Sequence, residues 1–158
     1  MSTNNTGRVT LKNLKYSDFA SEETPCFEAT IYVDGKRVGK AFNDGKGSAH
    51  RYDPFSIEKA LNEIAAALPP MDMSEYGMGP IQQDADLMIS CLVEDEVTRR
   101  KIARMTATNT YLRKPGEQYK KGEWTVLKGK TDEARIKAVQ DRFGAEVIIL
   151  GHNHRGLE

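Results

Sequence analysis

The stretch CFEATIYVDGKRVGKAF, residues 26–42, constrains the fold more than any other part of the chain. Phe27, Ala29, Ile31 and Val33 alternate with their neighbours at the period of a half-buried strand. Asp34-Gly35 follows, and both residue types tolerate the positive φ that a two-residue type I′ turn requires. Val38 and Phe42 continue the apolar pattern on the return strand. A hairpin with one apolar face is marginal alone, so the rest of the chain must supply a cover.

SIEKALNEIAAAL is the nearest cover. Asp53-Pro54 stops the sheet and opens a helix, and Ile57, Leu61, Ile64, Ala65 and Leu68 fall on one helical face. Pro69-Pro70 ends it. Before the hairpin, RVTLKNLKY alternates as a strand, with Val9 and Leu11 on one face. MDMSEYGMGP reads as a loop whose methionines are gap fillers, an adaptable lid or an oligomer contact.

From Asp84 two helical pieces are expected. The first has the face Leu87, Met88, Cys91 and Leu92, and the second, EDEVTRRKIARM, the face Val97, Ile102 and Met105. TATNTYLRK and EWTVLKGK read as strands. TDEARIKAVQDRFG reads as a helix capped by Thr131, striped by Ile136, Val139 and Phe143, and closed by Gly144 in a left-handed conformation. AEVIILG, continuously apolar, reads as a central strand that a right-handed β-α-β crossover places in a parallel pair.

Three strands come first and helices follow, so the expected class is α+β: an antiparallel hairpin-based sheet covered by helices, with a C-terminal β-α-β unit. One domain is expected over residues 9–151, with a Met/Gly/Pro-rich loop at 69–83, a disordered tail over 1–8 and a C-terminal tail over 152–158. No apolar run reaches the roughly 18 residues of a membrane span, and the first residues lack a signal-peptide core. Cys26 and Cys91 read as reduced thiols, which suits a cytoplasmic protein.

Net charge is zero, yet the charges segregate. Residues 1–98 carry a net −7, residues 99–130 a net +8 and residues 131–158 a net −1. The basic segment holds Arg99, Arg100, Lys101, Arg104, Arg113, Lys114, Lys120, Lys121, Lys128 and Lys130, interleaved with Tyr111, Tyr119 and Trp124. Cations beside aromatics suit phosphates and stacked bases, and a solvated charged face has the same composition. A near-neutral chain favours a small anionic ligand over nucleic acid.

The second candidate is the loop Asn43, Asp44, Gly45, Lys46, Gly47 with His50 and Arg51 just after it. Glycines let backbone N–H groups converge on an anion, and the basic side chains add charge. The loop has neither Walker nor dinucleotide spacing, and a plain strand-to-helix connector is its commoner meaning. His152-Asn153-His154 has the spacing of a metal pair but no partner at fixed distance in sequence. No nucleophile motif or zinc-protease motif is present, so no catalytic residue, metal or cofactor is expected.

LKNLKY, the SEETPCFEATIYVDGKRVG stretch and NDGKGS together resemble a group of small uncharacterised proteins of bacteriophages and bacterial mobile elements. These share a SEET…YVDGK…NDGxGG block, and the resemblance covers about residues 9–70, with a weaker likeness in the C-terminal β-α-β. Where their loop reads Asn-Asp-Gly-His-Gly-Gly, this chain has Asn43-Asp44-Gly45-Lys46-Gly47-Ser48. Lysine replaces that histidine: if the histidine is catalytic in those proteins, this chain lacks the activity, and if it contacts an anion, Lys46 can do the same work.

The resemblance implies a viral setting in the host cytoplasm and an anti-defence role. One such role is a non-catalytic oligomer that sequesters a cyclic-nucleotide immune messenger. The expected ligand is therefore a phosphorylated small molecule or nucleotide. It would be held by Asn43, Asp44, Gly45, Lys46, Gly47, His50 and Arg51 from the loop, and by Tyr111, Arg113, Lys114, Tyr119, Lys120, Lys121 and Trp124. Two alternatives stand beside it. One is a protein-binding inhibitor of a host factor, working through the Met-rich loop and the acidic stretch 84–96. The other is a metal-dependent hydrolase using His50 or His152 and His154.

Overall fold

The computed structural model describes residues 7–158, and within them the chain is a mixed α and β protein. Residues 1–6 of the expected N-terminal tail lie outside the described residues. Arg8 is bound: its guanidinium donates twice to Asp34, at 3.0 and 3.1 Å. The chain divides into two compact units, one reaching to Asp95 and the other running from Glu96 to Glu158.

The first unit is built on an antiparallel sheet of β1 (Val9–Ser17), β2 (Cys26–Val33), β3 (Lys36–Asp44) and β4 (Arg51–Asp53), in that spatial order. Asp34 and Gly35 form the expected turn, with φ of 50° and 79°, between the paired Val33 and Lys36. Phe27, Ala29 and Ile31 face inward. Opposite them stand Asn43, Ala41 and Gly39, not Val38 and Phe42. An extra residue at the Ile31/Tyr32 step shifts the register of β3, which moves Phe42 to the outer face against Glu28. A second irregularity lies between Lys12 and Lys15, where Asn13 adopts φ 53°; it brings Leu14 inward after Val9 and Leu11.

Helix α1 (Ile57–Ala66) covers the inner face with Leu61 and Ala65, both fully buried. Gly39 makes the close approach of the connection to this helix feasible: a Cβ there would run into the Asp53 carbonyl and the Ile57 side chain. The Met-rich loop is pinched at its base, where Met71 and Ile81 exchange two backbone hydrogen bonds of 2.8 and 2.9 Å.

The two helical pieces expected after Asp84 are one helix, α2 (Ala85–Thr106), because no glycine or proline interrupts them. Asp84 Oδ1 accepts from Leu87 N–H at 2.8 Å at its start. Its first half buries Met88, Ile89, Cys91 and Val93, while Leu87 and Leu92 are only half-buried. Among the described residues no helix is long and apolar enough to cross a membrane.

The second unit contains a three-stranded sheet ordered β6 (Thr125–Lys128), β5 (Asn109–Arg113), β7 (Ile148–Ile149), with α3 (Glu133–Phe143) between β6 and β7. The C-terminal β-α-β unit is present, but its two strands flank β5, each antiparallel to it, and do not pair with each other. The expected central strand is thus a two-residue edge, and β5 is central. Leu112, Val139, Val147 and Ile149 make the core, with Leu127, Ile136 and Phe143 packed on it.

Asp132 rather than Thr131 caps α3, accepting from Arg135 N–H. Thr131 instead donates its hydroxyl to the Asn109 carbonyl at 2.9 Å, tying the helix start to β5. Gly144 has φ 95° and ψ 162°, a positive φ outside the left-handed helical region.

Candidate functional site

The loop after β3 joins two antiparallel strands, so it is a hairpin loop and not a strand-to-helix connector. Asn43 is 4% exposed at its root, an inward position of β3 that alternation reserves for apolar side chains. A buried amide is tolerable only when its groups are bonded, and here they are. Asn43 Oδ1 accepts from Gly45 N–H and from the Thr24 hydroxyl, each at 2.8 Å. Asn43 Nδ2 donates to the Ser48 carbonyl at 2.8 Å and to His50 Nδ1 at 3.0 Å.

The segment Ser21–Thr24 closes over the other side of the loop. The N–H groups of Glu22, Glu23 and Thr24 converge on the Gly45 carbonyl, at 3.1, 3.0 and 3.3 Å. Gly47 N–H donates to Thr24 Oγ1 at 3.2 Å, and Lys46 N–H to Asp44 Oδ1 at 3.2 Å. The loop's backbone donors therefore point at this chain's own acceptors. Gly45 is glycine for space as well as for its φ of 84°, since a Cβ there would meet the Ala20 carbonyl. Lys46 and Arg51 remain exposed, and Arg51 lies 3.9 Å from Asp44.

His50 is held from four directions. Its backbone N–H donates to Asp86 Oδ2 at 2.9 Å, its Nε2 lies 2.8 Å from Ser90 Oγ, and its ring stands edge-on to Phe27. Because Asn43 Oδ1 is committed to a backbone donor, the amide that faces Nδ1 is the NH₂ group. Nδ1 must then accept, and Nε2 carries the proton and donates to Ser90. Desolvation lowers the His50 pKa against the opposing pull of Asp86 and Asp84, which favours this neutral ring. Ser90 Oγ accepts a hydrogen bond from the ring instead of donating one to it, so the pair lacks the direction of a nucleophile–base dyad.

Asp86 also accepts from Tyr52 OH at 2.8 Å; burial raises the phenol pKa, helped by that carboxylate. Thr24, Tyr52, Asp86 and Ser90 were not among the candidate residues. The alternation of β3 did not mark this cluster, since it put Phe42 and not Asn43 in phase with the core until the bulge reversed them.

The basic and aromatic candidates of residues 109–128 gather around the β5–β6 hairpin. Thr110 and Leu112 face the core, so Tyr111 and Arg113 lie on the opposite face of the sheet, beside Val126 and Ile148 of the neighbouring strands. The Arg113 guanidinium sits 4.2 Å above the Trp124 ring and donates to the carbonyls of Glu123 (3.1 Å) and Glu158 (2.6 Å). Tyr119 is a brace for the hairpin. Its hydroxyl receives from Lys114 N–H, donates to Glu117 and meets Thr125 at 3.0 Å. Lys114 pairs with Glu117 and Lys121 with Glu158, whereas Lys120 and Lys128 have no ion pair among the described residues.

Residues 152–158 fold back on this unit. The His154 ring lies 5.4 Å from that of Trp124, and Gly151 N–H donates to the His154 carbonyl at 2.8 Å. Among the described residues no three His, Cys, Asp or Glu side chains converge as a metal site would. The loop candidates belong to the first unit and the basic candidates to the second. The chain matches no family model, no curated protein and no solved structure.

Proposed function

We propose that this chain is a non-catalytic protein that binds and sequesters a phosphorylated small molecule of the nucleotide class, with the open face of the β5–β6 hairpin as its contact surface. The observation that carries the reading is the Arg113 guanidinium stacked on Trp124, next to Tyr111 on one sheet face. Tyr111 offers a ring for stacking, the Trp124 ring holds Arg113 in place beside it, and Lys120 and Lys128 offer charge for phosphate oxygens. The Nε2–H form of His50 supports a binding role over a hydrolytic one. The resemblance to phage and mobile-element proteins supports a cyclic-nucleotide immune messenger as the ligand, host cytoplasm as the location and a homo-oligomer as the working form.

A thermal-shift screen against mono-, di- and cyclic nucleotides at physiological salt tests it. A ligand at 100 times its dissociation constant adds about 2.7 kcal/mol of stability. One nucleotide class is expected to raise the midpoint, to be recovered unchanged, and to lose its effect in Tyr111→Ala. A flat screen rejects the reading.

A second reading, a protein-binding inhibitor of a host factor, rests on the loop between Met71 and Ile81. Tyr76 and Met78 are 72% and 49% exposed there, an apolar display on a segment pinned at its base. Co-purification of one host protein that is lost in Tyr76→Ala is its expected outcome.

A further inference from the structure

The outer face of the four-stranded sheet carries a charge pattern that the sequence hides. Residues 1–98 have a net charge of −7, yet four of their nine cations, Lys12, Lys15, Arg37 and Lys40, stand together on this face. The register sets them in rows. Lys12, Thr30 and Lys40 lie side by side across β1, β2 and β3; Thr10, Tyr32 and Arg37 form the next row, and Lys15, Glu28 and Phe42 the row on the other side. With strands about 4.8 Å apart, the two lysines flanking Thr30 have backbones about 10 Å apart.

A cavity of about 280 Å³ opens here, lined by Lys15, Glu28, Thr30, Tyr32, Arg37 and Lys40, with Asn13 at its edge. Thr30 is 7% exposed at its centre although it points away from the core. Glu28 is the acid in this lining and is shared by two lysines, Lys40 at 3.1 Å and Lys15 at 3.9 Å. Lys40 turns to Glu28 and not to Asp53, its register partner on β4. Arg37 has no ion-pair partner among the described residues, and Lys12 lies 4.3 Å over the Tyr32 ring. Two lysines thus share one carboxylate, and the lining keeps a positive excess of three cations over one acid.

We propose that this face is a binding site for a small phosphorylated polyanion of the pyrophosphate class, seated over Thr30 between Lys15, Arg37 and Lys40. The cavity lies just below the range of ordinary small-molecule pockets, about 300–1,000 Å³, which suits one compact anion. A nucleic-acid strand needs open aromatic faces for its bases, and the Tyr32 face already holds Lys12. The site uses no residue of the hairpin face of the proposed function and stands without it.

The test is a two-dimensional amide NMR titration of the full chain with inorganic pyrophosphate at physiological salt. Saturable shifts are expected on the amides around Asn13–Lys15, Glu28–Tyr32 and Arg37–Lys40. Arg37→Ala is expected to weaken binding about tenfold, the scale of one charge-assisted hydrogen bond. Glu28→Gln removes the competing carboxylate and is expected to tighten binding severalfold, and Lys137→Ala, at an exposed lysine of α3, to leave it unchanged. Shifts that never saturate, or that scatter over lysines throughout the chain, overturn the proposal. So does equal binding by wild type, Arg37→Ala and Glu28→Gln, each shown folded by its spectrum.

Discussion

Asn43 Nδ2 and His50 Nδ1 lie 3.0 Å apart, and this one contact decides which nitrogen of the imidazole carries its proton. The amide cannot turn over, because its oxygen already receives the Gly45 N–H. Nitrogen NMR of the imidazole at neutral pH is therefore expected to show an unprotonated Nδ1 and a protonated Nε2 for His50. A protonated Nδ1 would reverse the assignment and make Ser90 a donor.

Stability follows from the same bond. Desolvation lowers the folded-state pKa of His50 below the unfolded value of about 6.5. A lowered histidine pKa means that the unfolded chain takes up the proton first. The contribution is complete above about pH 6.5 and is lost as pH falls below it, with a slope of at most about 1.4 kcal/mol per pH unit. Asn43→Asp inverts this dependence. A carboxylate facing Nδ1 needs a proton there, which raises the folded-state pKa, so that variant is expected to lose stability as pH rises through that value. Urea unfolding of both proteins between pH 5 and 8 shows whether the slopes oppose.

Asn43→Ala leaves the Gly45 N–H, the Thr24 hydroxyl, the Ser48 carbonyl and His50 Nδ1 without their shared partner. A loss of about 3 kcal/mol is expected, since buried polar groups left unbonded each cost about 1–3 kcal/mol and some of these reach water. An unchanged denaturation midpoint would mean that the loop is not latched through this residue.

Gly35 and Gly45 separate conformational freedom from space. Both have positive φ, 79° and 84°, but a Cβ on Gly35 meets nothing within 4 Å while one on Gly45 runs into the Ala20 backbone. Gly35→Ala is expected to cost about 1 kcal/mol, the left-handed penalty alone. Gly45→Ala is expected to cost about 3 kcal/mol, because backbone on both sides must move. Equal costs would show that the loop yields freely to the Ala20 backbone.

Glu96 accepts from Arg99 and Arg100 at 2.8 Å each, and these bonds bring its carboxyl down to about 2 against the desolvation that raises it. A lowered carboxylate pKa contributes stability above the unfolded value of about 4.5 and loses it as pH falls toward 2. The arginines are largely solvated, so Glu96→Gln is expected to cost only about 0.5–1 kcal/mol at neutral pH. The difference from wild type should shrink in high salt and vanish near pH 2.

Much of the fold was legible where the cause is local. Asp34-Gly35 names its own turn, Pro54 and Pro69-Pro70 bracket α1, and the Ile136, Val139, Phe143 stripe marks α3. Register was not legible. One extra residue on β3 and the left-handed Asn13 on β1 each invert the alternation, and nothing in the local pattern requires them. Inward placement therefore passed from Phe42 to Ala41 and Asn43, and AEVIILG became an edge rather than a centre.

The candidate residues divide in the same way. The glycine loop was visible as a loop, but the targets of its donors, Thr24 and its own Asn43 and Asp44, depend on how Ser21–Thr24 closes over it. His50 was visible as a titratable group, but its partner Ser90 is forty residues away on α2.

By itself the sequence determined the Asp34-Gly35 turn, the limits of α1 and the segregation of charge along the chain, because these arise from φ preferences, proline chemistry and composition within a few residues. Only the tertiary structure decided which cations share a face and which polar groups answer one another. Those pairings are set by strand register and by burial, and both come from contacts between segments that no local pattern encodes.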